Sequence, residues 1–424
     1  MHRRVFLMQS TFVSGAALLL RHPAFAATDP NSAPKGEPHM STKIEEFRLN
    51  VPQSQLADLH DRLTHTRWPE RETVDDTSQG PQLAKVQALV AHWRTKYDWR
   101  KCEALLNGFG HFKTNINGLD IQFLHIVSPE PDALPLLMCH GWPGSILEFR
   151  KVIEPLSNPA KFGGDPRKAF HLVIPSMPGF GFSDKPSATG WSIPQIADAW
   201  ITLMDRLGYK RWGAQGGDLG FAVIDSIAEK KPKQFVGFHS NFIMMQPTPD
   251  EIAQATPQEK DMFASEKDFW DKLSGYAKEQ STRPQTIGYS LADSPVGLAT
   301  WIYAMFQDTC GTPGNAEATF TLDELLDDIM MYWLPNTGAS SARLYWEMVN
   351  SHWHPSTNPS KPIHVPAGFT MFPQEAVRKS RRLIEARYNN LVYFNEAAHG
   401  GHFGALEQPE VIVSDVRKTF DTLR

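Results

Sequence analysis

Cysteine is scarce. Cys102, Cys139 and Cys310 stand far apart in 424 residues. An odd, scattered set of this kind builds no disulfide framework and does not space the ligands of a zinc site. The pattern His-Glu-x-x-His is also missing, so the sequence offers no metal or cofactor motif. Basic blocks are absent too: 42 Lys and Arg are mixed with 47 Asp and Glu, for a net charge of -5 at pH 7. That balance excludes a phosphate-tracking surface and, with it, nucleic acid as a partner. Beyond the N-terminus no apolar run approaches the ~20 residues that a membrane-spanning helix needs. Aromatic residues, by contrast, are plentiful. Twelve Trp supply core packing and the walls of an apolar pocket.

The N-terminus reads "MHRRVFLMQSTFVSGAALLLRHPAFAATDP". Arg3 and Arg4 form a basic head, an apolar stretch follows, and Ala24-Phe25-Ala26 has the small-x-small form of a cleavage site. This is the pattern of an export signal over residues 1–26, with the paired arginines of the twin-arginine kind. The apolar part is too short for an anchor. Cleavage and a periplasmic location without a stable membrane span are therefore the expectation.

Residues 27–42, rich in Pro, Ser, Gly and Lys, read as a linker. Over residues 43–111 a short strand precedes amphipathic helices, with Leu56, Leu59 and Leu63 on one stripe. This block has no chemistry of its own. From residue 112 the pattern changes. "HFKTNINGLDIQFLHIVS" is a hairpin about Asn117-Gly118, and strands then alternate with helices. Such alternation predicts an α/β fold with a mostly parallel sheet covered by helices over residues 112–245 and 337–424. Residues 246–336 interrupt it with helices and a cluster of aromatic residues, and read as a lid over the carboxyl ends of the strands, where open α/β sheets bind ligands.

The chemistry centres on "WGAQGGDLGFAV". Glycines flank Asp218 in the form Gly-x-Asp-x-Gly, the strand-to-helix elbow that hydrolases build around a serine. Alone, Asp218 is as well explained as a helix cap. Two further pieces favour a nucleophile. "HGWPGS" follows a strand as an oxyanion-hole loop does, so the backbone N–H groups of Trp142 and Leu219 are expected to converge. "AAHGGHFGALEQPE" places His402 after the last strand, in this fold's order of nucleophile, acid and histidine. His402 is preferred as base over His399. The residues themselves leave the orienting acid open among Glu375, Glu396 and the lid carboxylates.

The ordered set "HGWPGS", "GGDLG", "TIGYSLADSPVGLATWI", "VPAGFTMFPQE" and "GGHFGALEQPE" resembles the microsomal-type epoxide hydrolases. These are a branch of the α/β-hydrolase family that includes the juvenile hormone epoxide hydrolases. The resemblance runs from residue 44 to the C-terminus and takes in the helical N-terminal block. It implies Asp218 as nucleophile, His402 as base, Glu375 in "FPQE" as the orienting carboxylate, and Tyr345 in "ARLYWE" with Tyr276 in "SGYAKEQ" as the ring-opening pair. It implies an apolar epoxide and water as substrates, a vicinal diol as product, and no cofactor; a homodimer is left open. One departure is Leu219, where the family commonly has Trp; its N–H still serves the hole, but the pocket wall beside Asp218 changes.

A carboxylate at the elbow supplies its own carbonyl, so its substrate can be an alkylating carbon rather than an acyl group. Haloalkane dehalogenases share this logic. A departing halide needs N–H donors, however, often an indole after the nucleophile, and would leave the tyrosine pair idle. A non-catalytic protein that binds an apolar ligand would need none of the four reactive side chains. An esterase would need a serine at the elbow.

Overall fold

A computed structural model describes residues 42–351 and 362–424. The expected export signal and the linker up to residue 41 lie outside them. Among the described residues nine strands form one sheet in the order β1-β2-β3-β5-β4-β6-β7-β8-β9. The strands are β1 (Glu45–Glu46), β2 (His111–Ile116), β3 (Leu119–Ile126), β4 (Leu134–Cys139), β5 (Phe170–Pro175), β6 (Trp212–Gly216), β7 (Phe235–Ser240), β8 (Ala367–Met371) and β9 (Leu391–Glu396). From β5 to β9 every neighbouring pair is parallel, whereas β1, β2 and β3 join antiparallel.

Local sequence accounts for the joints. Asn117 and Gly118 both take positive φ (51° and 89°), the geometry of a tight hairpin whose twist matches its strands. In the middle of the sheet β4 and β5 are buried at every position, as strands covered on both faces must be; β4 is a continuous apolar run for that reason, and β5 is apolar but for His171. Cys139 ends β4 as a buried, unpaired thiol.

The lid runs from Pro249 through a series of short helices. Three of them, starting at Pro249, Pro257 and Leu322, open on a Thr-x-x-Glu capping box, which satisfies two N–H groups at each start. Helix continues past residue 336 in Gly338–Asn350, and the sheet resumes at Ala367. The N-terminal helical block, including the turn after its helix Leu83–Thr95, braces this lid. Lys85 pairs with Glu317 at 3.0 Å, His92 meets Asp323 at 2.6 Å, and the Tyr97 hydroxyl donates to Asp327 at 2.8 Å. No helix among the described residues is long and apolar enough to cross a membrane.

Candidate active site

Four loops at the carboxyl ends of β4, β6, β8 and β9 supply Trp142, Asp218, Glu375 and His402, and two lid helices supply Tyr276 and Tyr345. Asp218 begins the helix Asp218–Lys230 directly after β6 and has φ 49°. A left-handed residue with a side chain costs roughly 1–2 kcal/mol, least for Asn and Asp. The flanking glycines therefore have a different task from the one their spacing implies. The positive φ falls on Asp218 itself, while the glycines give clearance. A Cβ on Gly216 would lie 2.7 Å from the Cys139 carbonyl oxygen, and one on Gly220 only 2.1 Å from it. The elbow is held because β4 presses on it at two points where no side chain fits.

Asp218 does not act as a cap. Gly217 occupies the N-cap position and makes no side-chain cap bond. The carboxylate turns back instead, and its Oδ1 accepts the Trp142 N–H at 2.9 Å. Burial raises the pKa of Asp218, opposed by the His402 charge and by the N–H groups of Trp142 and Leu219. Both expected hole donors thus act on this one carboxylate.

His402 Nε2 stands 3.7 Å from Asp218 Oδ2, and its Nδ1 meets Glu375 Oε2 at 2.7 Å. Glu375 is buried, and its other oxygen accepts the Val377 N–H at 3.1 Å. Burial works against charge on His402. The charge and hydrogen bond of Glu375, then the charge of Asp218, outweigh it and push the pKa up to about 10. Glu396, the last residue of β9, is exposed and accepts from Gln258, and His399 is exposed. The structure brings Glu375 and His402 to Asp218 and leaves those two outside.

Tyr276, in the helix Gly275–Thr282, stacks on the Trp142 indole with centroids 4.9 Å apart. Tyr345, in Gly338–Asn350, stands edge-on to Trp142 at 5.9 Å and to Tyr276 at 6.0 Å. Burial, reinforced by the Asp218 charge, raises both phenols well above the ordinary tyrosine range. They therefore stay protonated as donors. All six side chains border or face a cavity of about 690 Å³ walled by Phe242, Met245, Phe269, Met305, Met348 and Val377. Such a volume suits a small-molecule ligand. Leu219 also lines it, and so fills with an aliphatic wall the place the family commonly gives to Trp. A groove of about 720 Å³ near Trp191, Arg283 and Arg343 contains none of the reactive groups.

Residues that drew no notice in the sequence complete the frame. The lid's Tyr332 donates to the Gly144 carbonyl at 2.6 Å, and Ser145 donates to Asp328 at 2.6 Å. The lid thereby fixes the loop that carries Trp142. Burial raises Asp328 to about 8.

Comparison with known proteins identifies the family and the fold. A family model for the epoxide hydrolase N terminus matches residues 44–149, and one for the alpha/beta hydrolase fold matches residues 135–296. A protein of Stigmatella aurantiaca (strain DW4/3-1), whose name assigns it provisionally to the epoxide hydrolases, is 48% identical over 90% of this chain and 86% of its own. Epoxide hydrolase 1 of Sus scrofa is 34% identical over 88% of each chain. The crystal structure of juvenile hormone epoxide hydrolase from the silkworm Bombyx mori superposes with a TM-score of 0.84 at 28% identity, covering 91% of this chain and 96% of that one.

Proposed function

The chain belongs to the epoxide hydrolase family, and on that premise we propose that it opens apolar epoxides to vicinal diols through an ester between the substrate and Asp218. One observation carries this reading. The two oxygens of Asp218 face different partners, Oδ1 the Trp142 N–H at 2.9 Å and Oδ2 the His402 imidazole at 3.7 Å.

Oδ2 attacks an epoxide carbon, the carbon–oxygen bond of the ring breaks, and its electrons pass to the departing oxygen. Tyr276 and Tyr345 hydrogen-bond to that oxygen and protonate it as it forms. Their raised pKa means that a phenolate does not persist. The His402 imidazolium proton replaces the one given up. This transfer is favoured because esterification removes the Asp218 charge, one of the causes that hold the His402 pKa high.

Neutral His402 then takes a proton from water, and the hydroxide adds to the ester carbon. Negative charge gathers on Oδ1, already at the Trp142 N–H. A donor in that position is worth roughly 2.7–4 kcal/mol in related acyl chemistry. Collapse releases the diol and restores both the carboxylate and the imidazolium, so protons balance over the cycle. Glu375 keeps Nδ1 protonated and Nε2 aimed at the water. The apolar wall selects for an apolar substrate.

The test uses styrene oxide. The wild type should form the diol, and His402→Gln should accumulate the ester, seen as one substrate mass added to the peptide that contains Asp218. Halide release from haloalkanes without diol formation, or binding without turnover, would overturn the proposal.

A further inference from the structure

One half-buried carboxylate beside the base has no part in that scheme. Glu407 closes the short helix Gly404–Glu407, and its side chain folds back over the loop that carries His402. Oε1 accepts the Phe403 N–H at 2.9 Å, and Oε2 accepts the N–H of Gly401 at 3.0 Å and of Gly311 at 2.6 Å. Gly311 lies just past the lid helix Pro295–Thr309. The residue between the two clamped positions, His402, sends its own N–H to the Thr309 carbonyl at 2.8 Å. Three consecutive N–H groups of the histidine loop are thus committed, two to Glu407 and one to the lid.

Packing enforces the same contact. A Cβ on Gly401 would lie 2.4 Å from the Thr309 carbonyl oxygen, and one on Gly311 would lie 2.7 Å from Glu407 Oε2. The Phe403 ring stacks on Phe306 of the lid helix with centroids 4.0 Å apart. Burial raises the pKa of Glu407, and the N–H groups of Gly311, Phe403 and Gly401 oppose that rise.

Glu375 fixes how the imidazole is turned, through Nδ1. It does not fix where the backbone holds the ring. We propose that Glu407 is a positioning residue for ester hydrolysis: by fastening both neighbours of His402 to the lid, it keeps Nε2 within reach of the attacking water. The proposal rests on the covalent reading above. In ring opening Asp218 and the two phenols meet the substrate and His402 only returns a proton to the phenols, whereas in hydrolysis the imidazole must reach the attacking water, so Glu407 bears chiefly on the second half-reaction.

Single-turnover quenching with styrene oxide separates the halves. Glu407→Gln has a nitrogen that accepts no N–H, so it should form the ester at the wild-type rate but hydrolyse it more slowly, on the order of 100-fold as a displaced reacting group implies. Glu407→Asp, which keeps the charge but shortens the reach, should recover part of that loss. Unchanged hydrolysis, or equal losses in both halves, overturns the proposal. If the Gln variant fails to fold, the same partition measured in Glu407→Asp decides it. Failure to trap any ester in the wild type would instead defeat the covalent reading, whatever the variants do.

Discussion

The Trp142 indole lies nearly parallel to the Tyr276 ring, 11° from coplanar with centroids 4.9 Å apart. The same residue's backbone N–H holds Asp218 Oδ1 at 2.9 Å. One residue therefore serves both half-reactions by separate parts: its main chain serves the ester's carbonyl oxygen, and its side chain supports the ring-opening pair.

Trp142→Ala separates these tasks. The N–H remains, while the stacking on Tyr276 and the edge contact with Tyr345 go, and such aromatic contacts are worth about 0.5–1.5 kcal/mol each beyond area burial. Ester formation should slow by about tenfold, as ~1.4 kcal/mol implies, with hydrolysis of preformed ester nearly unchanged. Rapid-quench measurement of both steps checks this, and a loss confined to hydrolysis would contradict it.

The pH dependence of the two steps should run in the same direction for different reasons. Asp218 attacks only as the carboxylate, and its pKa is raised above 3.8 by burial. Ester formation should accordingly fall as pH drops, with a midpoint above that of an ordinary aspartate. Hydrolysis needs neutral His402. Its pKa of about 10 in the resting enzyme includes the Asp218 charge, which the ester lacks. Hydrolysis should therefore rise with pH through a midpoint below 10. Single-turnover profiles show both; an ester-formation rate that climbs toward acid would contradict the first assignment.

Gly220→Ala tests the elbow. The added Cβ meets the Cys139 carbonyl oxygen at 2.1 Å, a backbone atom that cannot swing aside. Overpacking of this kind typically costs about 1–3 kcal/mol, so the melting temperature should fall together with ester formation. Gly108→Ala, where a Cβ meets nothing within 4 Å, should change stability by no more than about 0.5 kcal/mol. Equal melting temperatures for the two variants would remove the steric account of the elbow.

Much of this was legible in the sequence because local chemistry writes itself locally. Asn117-Gly118 announces a hairpin, an unbroken apolar run announces β4, and the elbow sits inside one short motif. The task of its glycines was not legible, since the atom that excludes a Cβ from Gly220 belongs to Cys139 on a neighbouring strand. Choosing Glu375 over Glu396 required the family resemblance. One follows β8 and the other ends β9, and the contact that decides between them, His402 Nδ1 to Glu375 Oε2 at 2.7 Å, joins residues 27 apart in the chain. Glu407 stayed hidden longest. It stands in a motif that drew attention for its histidine, and its lid partner Gly311 lies 96 residues away in the chain.

The most direct test follows the oxygen atoms. In a single turnover with excess enzyme in oxygen-18 water, the oxygen added to the epoxide carbon comes from Asp218, so the first diol should carry no label. Label should appear in Asp218 and pass into the diol of later turnovers. A fully labelled first diol would mean that water attacks the epoxide directly, and would contradict the central claim.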